Sequence, residues 1–245
     1  MIWLRSMIFT GFMIVSVPFY ALVGALALPL PFPLRYGYFR RWARMMIWLL
    51  GVVCKLKFEV QGKENIPEGA AIIFSKHQST WETFALQQIF PPQVWVVKRE
   101  LFWVPFFGWA LMALGSVGID RKAGRKAIRQ IVEQGTRRLQ QGRWIVIFPE
   151  GTRMAPGARK RYGIGGAVLA ENSGYPVVPV AHNAGEYWPR RGLLKKPGTI
   201  KVVIGEPIQT KGRSAEEINK LAEQWIEAKV EEISTLNKNS AEPET

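Results

Sequence analysis

The chain has 245 residues, of which 33 are lysine or arginine and 19 are aspartate or glutamate, and its formal net charge is +14. This length suffices for one domain with a full core plus an additional segment, and the single cysteine, Cys54, excludes an internal disulfide. The charge predicts an anionic partner (nucleic acid, anionic lipid or a phosphorylated substrate), and the ten tryptophans, many beside arginine or lysine, favour a membrane surface.

The N-terminal segment has no charged residue from position 6 to position 34. A helix of roughly 20 residues crosses the hydrocarbon core of a membrane, so this run is long enough. Pro18 predicts a kink, and the prolines at 29, 31 and 33 predict the end of the helix. A secretory signal cleaved near Ala25-Leu26-Ala27 is the competing interpretation, but Arg5 alone makes a poor basic region for one.

Six basic residues precede the first acid after this segment: Arg35, Arg40, Arg41, Arg44, Lys55 and Lys57. Such an asymmetry predicts attachment to the inner (cytoplasmic) membrane, with the remainder of the chain on the cytoplasmic side. The apolar stretch Trp42–Val53 is short for a span, and its basic flanks predict a helix lying in the membrane interface. A re-entrant hairpin of the two segments in one leaflet is equally compatible with the sequence.

The rest of the chain alternates apolar runs with helical patterns. This alternation predicts an α/β fold with a mixed, largely parallel sheet flanked by helices, preceded by the hydrophobic membrane-anchoring helical segment. Helices are expected at 125–141, at 165–173 and after the capping pair Ser214 and Glu217. We assign residues 1–55 to the anchor, 56–236 to the globular domain and 237–245 to a flexible polar tail. The predicted strands are 56–61, 70–75, 94–97, 116–119, 144–148, 177–180 and 200–204.

One polar block, Ser75–Phe84, interrupts the pattern directly after a predicted strand. It holds His77, one of only two histidines, and Glu82 five residues later. On a continuous helix these side chains would point about 140° apart, so a pair requires His77 in a loop and Glu82 in the first helical turn. Ser79 and Glu82 match a helix-capping box, which is the structural alternative. A neutral imidazole held by a carboxylate can accept a proton from a substrate hydroxyl.

Three further blocks place charged residues at predicted strand ends. Phe148–Arg153 contains a glycine turn and an arginine suited to a phosphate, although an ordinary turn would look similar. Lys98–Leu101 precedes a very apolar aromatic stretch that is either a core helix or a wall for an acyl chain. Arg121 follows the strand at 116–119, at the end where ligands of open α/β sheets bind.

The four blocks together resemble the lysophosphatidic acid acyltransferases of the glycerophospholipid acyltransferase family, over about residues 57–210. That family carries a histidine followed five residues later by an acid, then Lys/Arg-Glu-Leu with Pro and Gly, then Phe-Pro-Glu-Gly-Thr-Arg, then Val-Pro-Val. This sequence matches them with His77 and Glu82, with Arg99-Glu100-Leu101, Pro105 and Gly108, with Phe148 to Arg153 in full, and with Val178-Pro179-Val180. The acid is most often aspartate in the family, so Glu82 is a departure.

The resemblance implies transfer of a fatty acyl group from a thioester to the free hydroxyl of lysophosphatidic acid, giving phosphatidic acid. It implies that His77 is the general base and that Glu82 orients it. Binding of the substrate phosphate falls to Glu150, Gly151, Thr152, Arg153 and Arg121. The acyl-chain or acceptor region comprises Lys98, Arg99, Glu100, Leu101, Phe102, Pro105, Phe106 and Gly108.

The expected partners are the phospholipid bilayer, lysophosphatidic acid, and acyl-CoA or acyl carrier protein as co-substrate. No cofactor, metal or nucleic acid is expected, and His182 is expected to be structural. Three alternatives remain open: another acceptor such as glycerol 3-phosphate or an acylated amine lipid, a non-catalytic lipid-binding homologue, and a nucleic-acid binder, for which no motif is present.

Overall fold

A computed structural model of the chain describes residues 1–236, so the predicted tail at 237–245 lies outside the described residues. Seven strands form one sheet, and all seven predicted strands are present with ends shifted by at most two residues. Their bounds are β1 Leu56–Gln61, β2 Ile72–Ser75, β3 Gln93–Lys98, β4 Val117–Ile119, β5 Trp144–Ile147, β6 Val177–His182 and β7 Gly198–Ile204.

Eight α-helices accompany the strands in the described part of the chain. The helices expected at 125–141, at 165–173 and after Ser214 are confirmed. The full set is α1 Ile2–Leu26, α2 Phe32–Val53, α3 Trp81–Ile89, α4 Phe107–Ala113, α5 Arg125–Gln140, α6 Gly165–Ser173, α7 Ala184–Tyr187 and α8 Ala215–Ile233. Ser214 caps α8 as predicted, because its hydroxyl accepts from the Glu217 N–H at 3.2 Å.

The strands lie in the order β1-β7-β6-β2-β5-β3-β4. Neighbours are parallel throughout except for β6 and β7, which are antiparallel. Five adjacent strands, from β6 to β4, therefore run in one direction and end at the same edge of the sheet. The mixed, largely parallel sheet predicted from the alternation is confirmed.

Helices cover both faces of the sheet, because successive strand residues point to opposite sides. Ile73 and Val146 face the layer that contains α1, α2 and α3. Ile72 and Ile145 face the layer that contains α5, α6 and α8. Burial on both faces explains why the central strands read as continuous apolar runs rather than as alternating ones.

The two N-terminal helices form a hairpin rather than a long helix followed by a short one. The second helix begins at Phe32, ten residues before the predicted start at Trp42. Pro33 does not prevent this early start, because it lies in the first turn, where backbone N–H groups have no partner within the helix. The two helices pack closely where Gly24 faces Phe39, since an added Cβ would lie 2.3 Å from that ring.

The first helix also packs against the globular part of the chain. The backbone N–H of Lys195 donates to Ser6 Oγ at 2.9 Å, and the buried Lys195 ammonium contacts the indole ring of Trp188. Within residues 1–236, α1 is the one helix long and apolar enough to cross a membrane, with a mean hydropathy of 1.9 over its best 18-residue window.

Candidate active site

The polar blocks of the sequence converge at the edge where the five parallel strands end. His77 follows β2, Lys98 ends β3, Arg121 follows β4, and Phe148 follows β5. Because parallel strands place their carboxyl ends together, residues 71 positions apart in the chain, from His77 to Phe148, reach one site there.

His77 and Glu82 form a direct pair. His77 lies in the loop before α3, and its Nδ1 is 2.8 Å from Glu82 Oε1. The carboxylate also accepts from the backbone N–H groups of Gln78 at 3.0 Å and Ser79 at 2.9 Å. The loop-and-first-turn arrangement therefore brings together two side chains that a continuous helix would separate. The additional methylene of glutamate still permits the pair.

The Glu82 carboxylate is completely buried, yet its environment favours the charged form. Burial alone would raise its pKa, but the hydrogen bond from His77, the nearby His182 and the backbone N–H of Ser79 together lower it. The capping box forms only in part: Ser79 N–H donates to Glu82, whereas the Ser79 hydroxyl accepts from Trp81 N–H at 3.1 Å. Glu82 thus serves both the helix terminus and the histidine.

His182 supports this loop from β6. Its side chain is fully buried, and this burial lowers its pKa. Its Nε2 lies 2.8 Å from the Lys76 carbonyl, and its Nδ1 accepts from the Ala184 N–H at 3.3 Å. These backbone contacts agree with the structural role expected of His182.

The loop after β5 lies directly against the histidine. The Phe148 ring stacks on the His77 imidazole with centroids 4.0 Å apart, and Met154 N–H donates to the His77 carbonyl at 2.7 Å. Gly151 has φ of +70°, which favours glycine, and its carbonyl accepts from the Arg121 guanidinium. These contacts fix the loop after β5 against the loop that carries His77 and against Arg121.

A cavity of about 770 Å³ opens beside His77. One part of its wall is cationic, and none of the residues that line it is acidic. The remainder is mostly apolar and includes Met13, Ile14 and Val17 of α1, a helix predicted only as an anchor. The cationic lining residues are Lys98, Arg121, Arg153, Arg190 and Arg191.

Only some of the residues expected from the sequence line this cavity. Those that do are His77, Lys98, Leu101, Pro105, Arg121, Gly151, Thr152 and Arg153. Glu82 lies behind His77 rather than in the wall. Six expected residues lie elsewhere: Arg99, Glu100, Phe102, Phe106, Gly108 and Glu150.

Local packing accounts for several of these differences. Arg99 pairs with Asp120 at 3.3 Å across the ends of β3 and β4. The Phe102 ring covers Gly118, where an added Cβ would lie 2.4 Å from it, and Gly108 packs on the Phe102 carbonyl. Phe102 and Gly108 therefore pack against each other outside the cavity lining, whereas the Arg99 side chain lies at the protein surface.

Glu150 belongs to a buried ionic cluster instead of the phosphate side of the cavity. Lys76 is 1% exposed, and its Nζ lies 2.6 Å from Glu227 Oε1 and 3.1 Å from Glu150 Oε1. Tyr162 donates to Glu227 Oε1 at 2.9 Å. Burial raises the pKa of Glu150 to about 7, Lys76 opposes the rise, and Glu227 adds to it. This cluster attaches the residues beside His77 and Gly151 to α8.

Replacing Lys76 by methionine is expected to lower the free energy of unfolding by about 3–5 kcal/mol, because two buried carboxylates lose their counter-ion. Urea denaturation in detergent micelles measures the loss. The double variant Lys76→Met/Glu227→Gln should recover part of it, since one carboxylate is removed with the ammonium. A loss below about 1 kcal/mol in the single variant would contradict the pairing.

Sequence reasoning missed several residues of this site. Glu227 and Tyr162 join Lys76 only through tertiary packing, and no spacing in the sequence connects them. Arg190 lines the cavity next to Arg153, and its guanidinium donates to the Arg153 carbonyl at 2.7 Å. The Arg190-Arg191 pair was visible as adjacent basic residues but matches no motif. Among residues 1–236, no group of three His, Cys, Asp or Glu side chains is arranged to hold a metal ion.

Comparison with known proteins identifies relatives over most of the chain. The Acyltransferase family model matches residues 57–183. The chain is 48% identical over 219 residues to a 1-acyl-sn-glycerol-3-phosphate acyltransferase of Pseudomonas aeruginosa, covering 88% of this chain and 85% of that protein. It is 29% identical over 210 residues to a protein of the same name from Saccharomyces cerevisiae, covering 81% of this chain and 67% of that protein.

The fold is also shared with a solved structure. The crystal structure of the 1-acyl-sn-glycerophosphate (LPA) acyltransferase PlsC from Thermotoga maritima matches with a TM-score of 0.76. The match covers 99% of this chain and 97% of that one at 24% sequence identity. At this identity the likeness establishes the fold alone.

Proposed function

Because this chain belongs to the acyltransferase family, we propose that it moves a fatty acyl group from an acyl thioester to the free hydroxyl of lysophosphatidic acid, giving phosphatidic acid. The observation that carries the proposal is the His77–Glu82 pair beside a cavity with a cationic wall and an apolar wall. Such a cavity suits a molecule that has a phosphate at one end and a hydrocarbon chain at the other.

His77 is the general base in this proposal. With its Nδ1 hydrogen donated to the buried carboxylate, Nε2 is left as the proton acceptor. It takes the proton of the acceptor hydroxyl while that oxygen attacks the thioester carbonyl carbon. As the C–O bond forms and the C–S bond breaks, the imidazolium returns the proton to the departing thiolate. Glu82 stabilises the imidazolium through its charge and holds the ring orientation.

Arg153 and Arg121 supply the phosphate side. A phosphate monoester is bound best by guanidinium groups that donate two hydrogen bonds each. Five cationic side chains surround the cavity without a carboxylate among its lining residues, and an anion relieves their mutual repulsion. Gly151 and Thr152 complete this wall. Glu150 does not contact the phosphate in this proposal; its ion pair with Lys76 helps to hold the loop that carries His77.

The donor carrier, CoA or acyl carrier protein, is anionic in either case, so the net positive charge of the chain suits both.

We further propose that α1 and α2 attach the protein to the inner membrane with the site on the cytoplasmic side. The length and composition of α1 and the basic residues Arg35, Arg40, Arg41 and Arg44 on α2 support this placement.

The test uses the purified full chain in lipid vesicles with a radiolabelled acceptor and acyl-CoA or acyl carrier protein as donor. We expect labelled phosphatidic acid from lysophosphatidic acid. Product only from glycerol 3-phosphate or an acylated amine lipid would assign another acceptor, and no product from any acceptor with either donor would favour a lipid-binding homologue. The His77→Asn variant provides the blank.

Replacing Arg153 by alanine is expected to weaken acceptor binding by about 1.5–3 kcal/mol, because a charge-assisted, bidentate contact is lost. Steady-state kinetics should show a raised KM for lysophosphatidic acid and little change for the thioester. Arg137→Ala is the matched control, since it removes the same charge from the exposed face of α5. The reverse pattern of KM values would place Arg153 on the carrier side.

A further inference from the structure

A second uncharged segment, residues 101–119, exposes large apolar side chains. Trp103 is 83% exposed, Met112 46%, Phe107 44% and Trp109 37%. Isolated exposed apolar residues are ordinary, but several within ten positions form a patch that soluble proteins rarely leave in water. We call Trp103, Phe107, Trp109 and Met112 the α4 patch.

The segment has two distinct faces. Leu101, Pro105 and Leu111 line the cavity, whereas Trp103, Trp109 and Met112 point away from it. A tight turn at Phe106, with φ of +64° and the Phe107 N–H donating to the Pro105 carbonyl at 2.7 Å, separates Trp103 from α4. A bulky residue at such a φ is strained, so the surrounding packing, not a local preference, holds this arrangement.

The patch adjoins the exposed face of α1. The two helices α1 and α4 pack against each other, and the cavity lies between them, with Ile14 of α1 on one side and Phe107 on the other. Both of these side chains line the cavity and are also exposed. Only 17% of the most apolar window of α1 is buried by protein. The two apolar surfaces therefore form one continuous margin around the cavity.

Charge distinguishes between possible partners for this margin. Basic residues outnumber acidic ones at both ends of the uncharged segment: of the two acids there, Glu100 and Asp120, Asp120 is paired with Arg99. Aromatic and aliphatic side chains bordered by cations suit an anionic lipid surface. A second copy of the chain would bring the same cations against each other. The flanking basic residues are Lys98, Arg99, Arg121, Lys122, Arg125 and Lys126.

We propose that the α4 patch enters the bilayer beside α1, as a second lipid-contacting element. This contact does not depend on the proposed function.

A single-cysteine probe tests the contact. Cys54 is buried, and in a Cys54→Ala background Trp103→Cys carries an environment-sensitive fluorophore. The matched control is Gln224→Cys, an exposed position on α8, which packs on the opposite face of the sheet from α1 and α2. Vesicles of phosphatidylcholine and phosphatidylglycerol, with and without a quencher on the lipid chains, are added to the full-length protein, and flotation verifies binding.

At position 103 we expect a blue shift and at least about twofold quenching by the chain-linked quencher, with neither at position 224. Unquenched emission at 103 from protein that floats with the vesicles would overturn the proposal. A blue shift at 103 that depends on protein concentration and is the same without vesicles would overturn it too, in favour of self-association. Because the probe requires no turnover, a failure of the proposed acyltransfer would leave this result unchanged.

Discussion

Replacing His77 by alanine is expected to lower turnover by about 10²–10⁴-fold while the protein remains folded, because the reaction loses its general base. Glu82 keeps its backbone donors Gln78 and Ser79 after this change, so the buried carboxylate is not left without partners. The measurement is the rate of phosphatidic acid formation at equal membrane abundance, with circular dichroism to verify the fold.

His77→Asn sharpens that experiment. An asparagine amide can donate to Glu82 from near the position of the imidazole Nδ1, but it cannot accept and return a proton. Both variants should therefore lose activity to a similar extent, whereas His77→Asn should melt closer to the parent. Activity within tenfold of the parent in either variant would remove His77 from the mechanism.

Glu82→Gln is the second change with a large expected effect, a decrease in kcat of about 10²–10⁴-fold. Glu82 Oε1 accepts from His77 Nδ1, Gln78 N–H and Ser79 N–H, and an amide oxygen in that place can keep all three bonds. The amide nitrogen would lose only the second contact of Ser79 N–H, which lies 3.0 Å from Oε2. The melting temperature should therefore change little. What glutamine cannot supply is the negative charge that stabilises the imidazolium in the transition state.

Glu82→Asp completes the series, because it retains the charge and removes one methylene. The shorter side chain reaches His77 less well, so kcat should lie between those of the parent and the glutamine variant. Parallel kinetics and thermal melts separate the two roles of this residue. If the glutamine variant turned over at the parent rate, Glu82 would be a helix cap alone.

The pattern of the sequence was enough for the sheet and for the location of the site. Strands β2 and β5 are buried on both faces, so their sequences are continuous apolar runs that end abruptly in polar residues. The glycine turn of Gly151 and the capping pair of Ser79 and Glu82 are local signals, determined by a few neighbouring residues. Local chemistry of this kind can be read without knowledge of the fold.

The N-terminal helices show where local signals were insufficient. Prolines at 29, 31 and 33 correctly predicted an interruption, but not that Pro33 would lie inside the first turn of α2. Nor did hydropathy indicate that α1 lines the cavity with Ile14 and Val17. An apolar surface can pack against lipid or against protein with similar hydropathy, so only the position of the neighbouring elements distinguishes the two.

The apolar runs and the polar residues after them indicate which residues follow the strands, among them His77, Lys98 and Arg121. Which of these residues face the cavity depends on contacts between parts of the chain that are far apart in sequence, because those contacts fix the direction of each side chain. Glu150 shows this best: its motif position suggested the phosphate, but it pairs with buried Lys76, which in turn pairs with Glu227 on α8, 77 residues from Glu150 in the chain. Buried charges require partners, and only the fold brings those partners together.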